Sequence, residues 1–130
     1  MDTSAIVAAL VADHEHHTVT RPHLAKVTSL PAIVLAEAFS QFRRTFGQNA
    51  STATSLLAHW TADPTRVLTT TPSAVATVFA RATELDLGGN IHDALIAEVC
   101  REHGAPLMTL DVRQHRLALA LGASSTYLLA

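Results

Sequence analysis

The chain has 130 residues, of which 48% are hydrophobic and 5% aromatic, and it carries a formal net charge of −2 at pH 7. This length favours a single domain, residues 1–130, with a core built mainly from Ala, Val, Leu and Ile. The weak negative charge argues against a protein that holds nucleic acid through a uniform positive field, although a site built from carboxylates adds negative charge of its own.

Several features predict a soluble cytoplasmic protein. The sequence begins without the basic region or cleavage-like run of a secretory signal peptide, and its apolar stretches are too short to span a membrane. Cys100 is the single cysteine, so an intrachain disulfide is excluded, which suits a reducing compartment. Because it falls on the apolar face of a predicted helix, we expect Cys100 to be a small buried hydrophobic residue.

The N-terminal part of the chain begins with an acid and an apolar segment. Asp2 is placed to cap a predicted helix over residues 5–11. The DHEHH segment at 13–17 invites a metal site, but its spacing is not the H-E-x-x-H of metalloproteases, and a solvated helix end is expected. After the break at Pro22, residues 24–28 are predicted to form a short strand.

The next predicted helix spans residues 29–47 and carries an apolar stripe of Leu35, Phe39, Phe42 and Phe46. Glu37 points away from that stripe. Ile33 and Val34 nevertheless make the first half of the helix apolar nearly all round, which predicts burial. A buried carboxylate needs a partner or a cation, whereas the alternative is an exposed Glu37.

The middle of the chain shows weaker signals. Residues 49–54 are rich in Ser and Thr and are predicted to form a loop or a cap region. A helix over 55–60, a strand over 66–69 and a helix over 72–85 follow. Trp60 is expected to be a packing residue or a dimer contact.

A helix–strand–helix unit is predicted from Asn90 onward. Asn90 is a suitable N-cap, His103–Gly104 ends the first helix, and the apolar run 105–110 has the length of a buried strand. Asp111 follows this strand directly, where the second helix begins. A final strand is predicted over 125–129.

Two carboxylates lie at the hinges of this unit, Asp93 in the first turn of a helix and Asp111 at the end of the strand. In open α/β sheets, ligands bind where strands end and the following helices begin. Each acid could instead only stabilise the start of a helix. Asp93 would do so in a capping arrangement with Asn90, and Asp111 would be an N-cap by itself. The alternation of helices and strands predicts a parallel sheet with helices on both faces, a pattern that several doubly wound folds share.

Four segments follow one another in the order found in a known family: MDTSAIVAAL, LAEAFSQFRR, IHDALIA and HGAPLMTLD. Over nearly the whole chain they resemble PIN domains, and more narrowly the VapC-type ribonuclease toxins of bacterial toxin–antitoxin pairs. The resemblance implies a three-layer α/β/α sandwich with a mostly parallel central sheet of four to five strands. In the family an apolar strand precedes the first aspartate, whereas only Met1 precedes Asp2 here. The first strand is therefore expected to be very short, or the start to have been assigned downstream of the natural one.

The resemblance implies that Asp2, Glu37, Asp93 and Asp111 form the catalytic and metal-binding set. Converging carboxylates repel one another, and a hard divalent cation would relieve this repulsion. A set of oxygen ligands points to Mg²⁺ or Mn²⁺ rather than zinc. Asp2, Glu37 and Asp93 are expected to bind the ion directly, and Asp111 to bind a second ion or to act through water.

Neighbouring side chains have expected roles as well. Thr109 matches a hydroxyl residue of the family and is expected to act in catalysis by hydrogen-bonding a ligand or orienting water. Thr3 and Ser4 are likewise expected to hydrogen-bond a ligand or to orient water. Arg113 stands where some relatives carry a further acid, and it is expected to reach a phosphate instead.

The activity implied by the resemblance is that of a metal-dependent endoribonuclease that cuts RNA and inhibits translation. The implied partners are the RNA substrate, a VapB-like antitoxin whose tail fills the site, and a second copy of the chain in a homodimer. Three alternatives stay open: a PIN-like nuclease acting on DNA or structured nucleic acid, a non-catalytic binding module, and a receiver-like phosphoacceptor domain. The last needs a lysine after its late strands, and the only lysine is Lys26.

Overall fold

The computed structural model describes every residue from 1 to 130. Helices and short strands alternate along the chain, which confirms the predicted α/β class. The helices are α1 (Thr3–Leu10), α2 (His17–Thr20), α3 (Ala32–Arg44), α4 (Ala50–Thr61), α5 (Pro72–Ala80), α6 (Ile91–Glu102) and α7 (Val112–Ala120). The strands are β1 (Leu30–Pro31), β2 (Val67–Leu68), β3 (Leu107–Thr109) and β4 (Ser125–Tyr127). Two 3₁₀ helices, Arg21–Lys26 and Pro64–Arg66, precede β1 and β2.

The strands form two separate parallel pairs. β1 pairs with β2, with Leu30 opposite Val67, and β3 pairs with β4, with Leu107 opposite Ser125. The four to five strands expected in one sheet are therefore divided, since each strand is only two or three residues long and no ladder joins the pairs. All observed pairing is parallel, as predicted.

The first residues of the chain lie beside β3. The backbone N–H of Asp2 donates to the carbonyl oxygen of Met108 at 2.9 Å, which fixes this extended start against the strand. The carboxylate of Asp2 then begins α1 by accepting a hydrogen bond from the backbone N–H of Ala5 at 3.0 Å. The start of α1 is thereby held close to the end of β3.

Two predictions for the middle of the chain need correction. The cap is confirmed at Asn49, whose side chain accepts a hydrogen bond from the backbone N–H of Thr52 at 2.8 Å and so begins α4, but residues 50–54 are helical rather than a loop. The helix predicted over 72–85 is shorter, since α5 ends at Ala80 and the chain continues as hydrogen-bonded turns.

The strand predicted over 24–28 is also wrong. Arg21–Lys26 forms a 3₁₀ helix, because Pro22 holds a helical φ near its start, and β1 begins only at Leu30. The end of α6 agrees with its sequence signal. The helix stops at Glu102, and Gly104 adopts a φ of +63°, a left-handed conformation that glycine reaches without strain.

The core consists mainly of aliphatic side chains. Trp60 is 4% exposed and donates from its indole nitrogen to the carbonyl oxygen of Val27 at 3.0 Å, so it is a packing residue. Cys100 is buried as predicted, and burial raises the pKa of its thiol to about 11, which keeps it protonated at neutral pH. No helix combines the length and apolar character that a membrane crossing requires.

The buried face of α3 is rotated from the predicted stripe. Val34, Ala38 and Phe42 are buried, whereas Phe46 lies beyond the end of the helix and is exposed. Glu37 follows the buried Val34 by three residues, so it lies at the border of the buried face rather than opposite it. Since α3 packs against both α1 and α6, this border faces the starts of neighbouring helices.

Candidate active site

A small polar cavity of about 180 Å³ lies where several helices begin. No hydrophobic residue lines it; its walls are Asp2, Thr3, Ser4, Glu37, Gln41, Asp93, Asp111 and Gln114. The structure thus brings together all four acids identified in the sequence. Three of them stand at the starts of α1, α6 and α7, where helix dipoles favour negative charge.

Asp2 is the most tightly held of the four acids, with only 5% of its surface exposed. One carboxylate oxygen accepts hydrogen bonds from the backbone of Ala5 and the hydroxyl of Ser4, both at 3.0 Å. The other accepts a hydrogen bond from the hydroxyl of Thr109. Burial raises the pKa of Asp2, and these hydrogen bonds oppose that rise in part.

Glu37 is partly buried and reaches the cavity from the middle of α3. Its Oε1 accepts a hydrogen bond from the hydroxyl of Thr3 at 2.9 Å, so the residue after Asp2 orients a second acid. Gln41 lies one turn further along α3 and lines the same cavity, a contribution that the sequence reading missed. Its position four residues after Glu37 was an available signal, because such residues share a helix face.

Asp93 is the acid most exposed to the charge of the others. Burial, as the larger cause, and repulsion from Asp2, Glu37 and Asp111 together raise the pKa of Asp93 to about 6. No hydrogen bond to its carboxylate offsets these effects. The capping alternative is therefore wrong for Asp93, and Asn90 does not cap α6 with its side chain, because that side chain accepts from the backbone N–H of Gly88 at 2.9 Å instead.

Asp111 combines the two roles considered for it. Its Oδ1 caps α7 by accepting from the backbone N–H of Arg113 at 2.8 Å, and the residue also lines the cavity. Thr109 lies fully buried behind these acids. Its hydroxyl donates to Asp2 and accepts from the backbone N–H of Asp111 at 2.9 Å, so one side chain links two of the acids.

Gln114 was not identified in the sequence, yet it forms part of the cavity wall. It is 2% exposed, and its amide nitrogen donates to the backbone carbonyl of Asp93 at 3.1 Å, which ties α7 to the start of α6. Its amide oxygen has no hydrogen-bond partner in the protein. A polar residue one turn before the buried Ala118 was the only local signal of such a role.

The residues present fit a hard divalent cation. Every side chain that lines the cavity offers oxygen, and no Lys, Arg, His or Cys is among them. No three acidic, His or Cys side chains stand close enough to form a ready-made coordination sphere. Mg²⁺ retains several waters and takes few carboxylates directly, so a partly hydrated ion suits this spacing.

The largest cavity, about 590 Å³, lies elsewhere and shares no residue with the acids. It is lined mostly by hydrophobic residues around Trp60 and the 3₁₀ helix Arg21–Lys26. The smaller, polar cavity is therefore the candidate site, because three neighbouring acids help to raise the pKa of Asp93 there.

Fold and site define an α/β protein with an acidic cavity at the starts of three helices. The family model of the PIN domain matches residues 1–119, and the chain belongs to this family. The PIN domain is a nuclease-type fold, which agrees with an acidic cavity. A search of curated proteins found no match.

Proposed function

We propose that the protein is a metal-dependent endoribonuclease, the toxin of a type II toxin–antitoxin pair, that hydrolyses RNA phosphodiester bonds with Mg²⁺ or Mn²⁺. The observation that carries this proposal is the grouping of Asp2, Glu37, Asp93 and Asp111 around one polar cavity without a cationic side chain. Four neighbouring carboxylates repel one another, and a bound cation would offset this repulsion.

The four acids would hold the ion, some of them directly and some through water. When bound, the ion would offset charge on a phosphate oxygen and lower the pKa of an attacking water. The hydroxyls of Thr109 and Thr3 keep the carboxylates of Asp2 and Glu37 in place, so these acids need little reorganisation as substrate binds.

The proposed partners follow from the same cavity and from the VapC-type motifs. A cavity lined by four acids favours a basic side chain, which supports inhibition by the tail of a VapB-like antitoxin. The resemblance further supports a cytoplasmic homodimer. Light scattering of the purified protein, and titration of the nuclease with a co-expressed antitoxin, test these two points separately.

The first experiment is cleavage of total RNA and of single-stranded DNA by the purified, antitoxin-free protein, with Mg²⁺, with Mn²⁺ and with chelator. Asp93→Asn preserves the shape of the side chain and should abolish metal-dependent RNA cleavage. Asp13→Asn is the matched control, because Asp13 is an exposed acid outside the cavity. It should cleave RNA as fast as the wild type.

Each alternative has its own outcome. Preferential cleavage of DNA would favour a PIN-like nuclease acting on DNA or structured nucleic acid. Cleavage that persists in Asp93→Asn would show that the acid cavity is not the site. A folded protein that cuts neither substrate with either metal would favour a non-catalytic binding module.

A further inference from the structure

A second cavity, of about 380 Å³, adjoins the acid cavity. The two share Asp93, Asp111 and Gln114, which form the wall between them. Part of the wall of the second cavity is the loop between α5 and α6, which contributes Asp86, Gly88, Gly89 and Asn90. Of the nine residues that line this cavity, only Leu117 is hydrophobic. A chain-like ligand bound at the acids would continue into this space.

Arg113 is the only positively charged residue that lines either cavity. The backbone N–H of Arg113 donates a hydrogen bond to Oδ1 of Asp111 at 2.8 Å. This bond holds Arg113 in the first turn of α7, next to the acids. Its side chain is exposed and has no ion-pair partner, whereas Arg81 and Arg101 are paired with Glu84 and Glu98. The guanidinium of Arg113 is therefore available to a ligand.

The loop that lines the second cavity together with Arg113 is shaped by local contacts. Asp86 has a φ of +50°, the only non-glycine residue with a positive φ, and a backbone held in this region is strained. The backbone N–H of Gly88 donates to the side chain of Asn90 at 2.9 Å, which closes the loop on itself. These residues give this part of the cavity wall a defined shape.

We propose that the second cavity is the subsite for the nucleotide next to the scissile phosphate, and that Arg113 binds the phosphate of that nucleotide. This inference rests on the proposed function. The five acids that line the two cavities, Asp86 among them, repel an approaching polyanion, and Arg113 is the one lining side chain that attracts it. A guanidinium binds phosphate through two parallel hydrogen bonds, whereas Asp86 and Asn90 can bond base edges.

The test compares RNA substrates of matched sequence. One is a dinucleotide with a single phosphodiester, and the others carry one further phosphate on the 5′ or the 3′ side. For the wild type, a flanking phosphate on one side should lower KM, and replacing that phosphate by a neutral methylphosphonate should remove the gain. Arg113→Gln should raise KM for the longer substrate on the order of tenfold more than it raises KM for the dinucleotide.

Two further variants sharpen the comparison. In Arg113→Lys the flanking phosphate should still lower KM, but less than in the wild type, since lysine retains the charge but lacks the planar guanidinium. Arg116→Gln is the matched control, because Arg116 is an exposed arginine of the same helix that lines neither cavity, and it should behave as wild type. Equal loss on the dinucleotide and the longer substrate in Arg113→Gln would overturn the subsite.

Binding separates this inference from the proposed function. Fluorescence anisotropy of labelled RNA on Asp93→Asn protein in Mg²⁺ needs no cleavage. There, adding Arg113→Gln should weaken binding of the strand with the flanking phosphate and lower the salt slope of log affinity by about 0.7, the value for one contact to a single strand. Unchanged affinity and slope would refute the subsite, whereas failure of the wild type to cleave any RNA would refute only the nuclease.

Discussion

At the residue scale, Thr109 joins two acids of the cavity through one buried hydroxyl. Thr109→Val keeps the shape of the side chain but leaves Asp2 and the backbone N–H of Asp111 without this partner. Because a buried group loses its hydrogen bond, we expect the free energy of unfolding to fall by about 1–3 kcal/mol. The pKa of Asp2, already raised by burial, should rise further.

The measurement for Thr109→Val is urea unfolding together with the pH dependence of RNA cleavage. The acidic limb of the pH profile of cleavage should move to higher pH, and a purely structural defect would not cause such a shift. Thr109→Ser should restore the profile because it restores the hydroxyl. Thr126→Val, an exposed threonine of β4, serves as control. A Thr109→Val protein with wild-type stability and pH profile would contradict the role assigned to this hydroxyl.

The sequence allowed the acids to be selected but not their mutual geometry. Asp2 and Asp111 could be recognised because each directly precedes an apolar or periodic segment that becomes a helix. Gln114 could not, since its contact with the backbone of Asp93 joins residues 21 positions apart. The raised pKa of Asp93 likewise arises only when distant acids converge in the folded chain.

At the element scale, α4 is attached to the rest of the molecule through Trp60. Its indole nitrogen bonds the carbonyl oxygen of Val27 in the segment that follows the 3₁₀ helix. Trp60→Phe retains an aromatic ring but leaves that buried carbonyl unpaired, so we expect a loss of about 1–3 kcal/mol in the free energy of unfolding. RNA cleavage per folded molecule should not change, because Trp60 lines a cavity that shares no residue with the acids.

Circular dichroism during urea unfolding measures this loss without relying on the tryptophan signal. Trp60→Ala, which removes the ring as well, should lower the free energy of unfolding by about 3–5 kcal/mol. The smaller loss in Trp60→Phe is compared with this value. A Trp60→Phe protein that is folded but cannot cleave RNA would mean that α4 contributes to the site in a way its contacts do not indicate.

Elements differed in how well the sequence predicted them. Helices with a long apolar face, such as α6, have a signal that spans many residues. The strands have only two or three residues, too few for a periodic pattern. The run at 24–28 has a strand-like composition, but Pro22 favours the 3₁₀ helix that is observed over Arg21–Lys26.

At the scale of the whole molecule, the acid cavity links stability to pH. The pKa of Asp93 is raised from its ordinary value of 3.8 to about 6, so the folded protein binds a proton more tightly than the unfolded chain does. Without a cation, the contribution of Asp93 to stability is therefore most favourable below pH 3.8 and is lost as the pH rises through about 6. Because Asp93 is only partly buried, water screens this effect to about 1 kcal/mol.

Mg²⁺ should reverse this loss, because it binds the ionised carboxylates of the folded protein and competes with the proton. We expect the rise in Tm on adding Mg²⁺ to be larger at a pH above 7 than near pH 5, where Asp93 is largely protonated. Thermal unfolding at both pH values, with Mg²⁺ and with chelator, measures the difference.

The Asp93→Asn variant is the decisive comparison for this linkage. Removing the charge should flatten the fall in stability between pH 4 and pH 6 and reduce the gain from Mg²⁺, because the repulsion that the ion relieves is then weaker. Asp13→Asn, which leaves the cavity intact, should keep both effects. A Tm that responds to Mg²⁺ equally in wild type and Asp93→Asn would mean that the ion binds elsewhere, and the acids would then lack the cation on which the proposed hydrolysis depends.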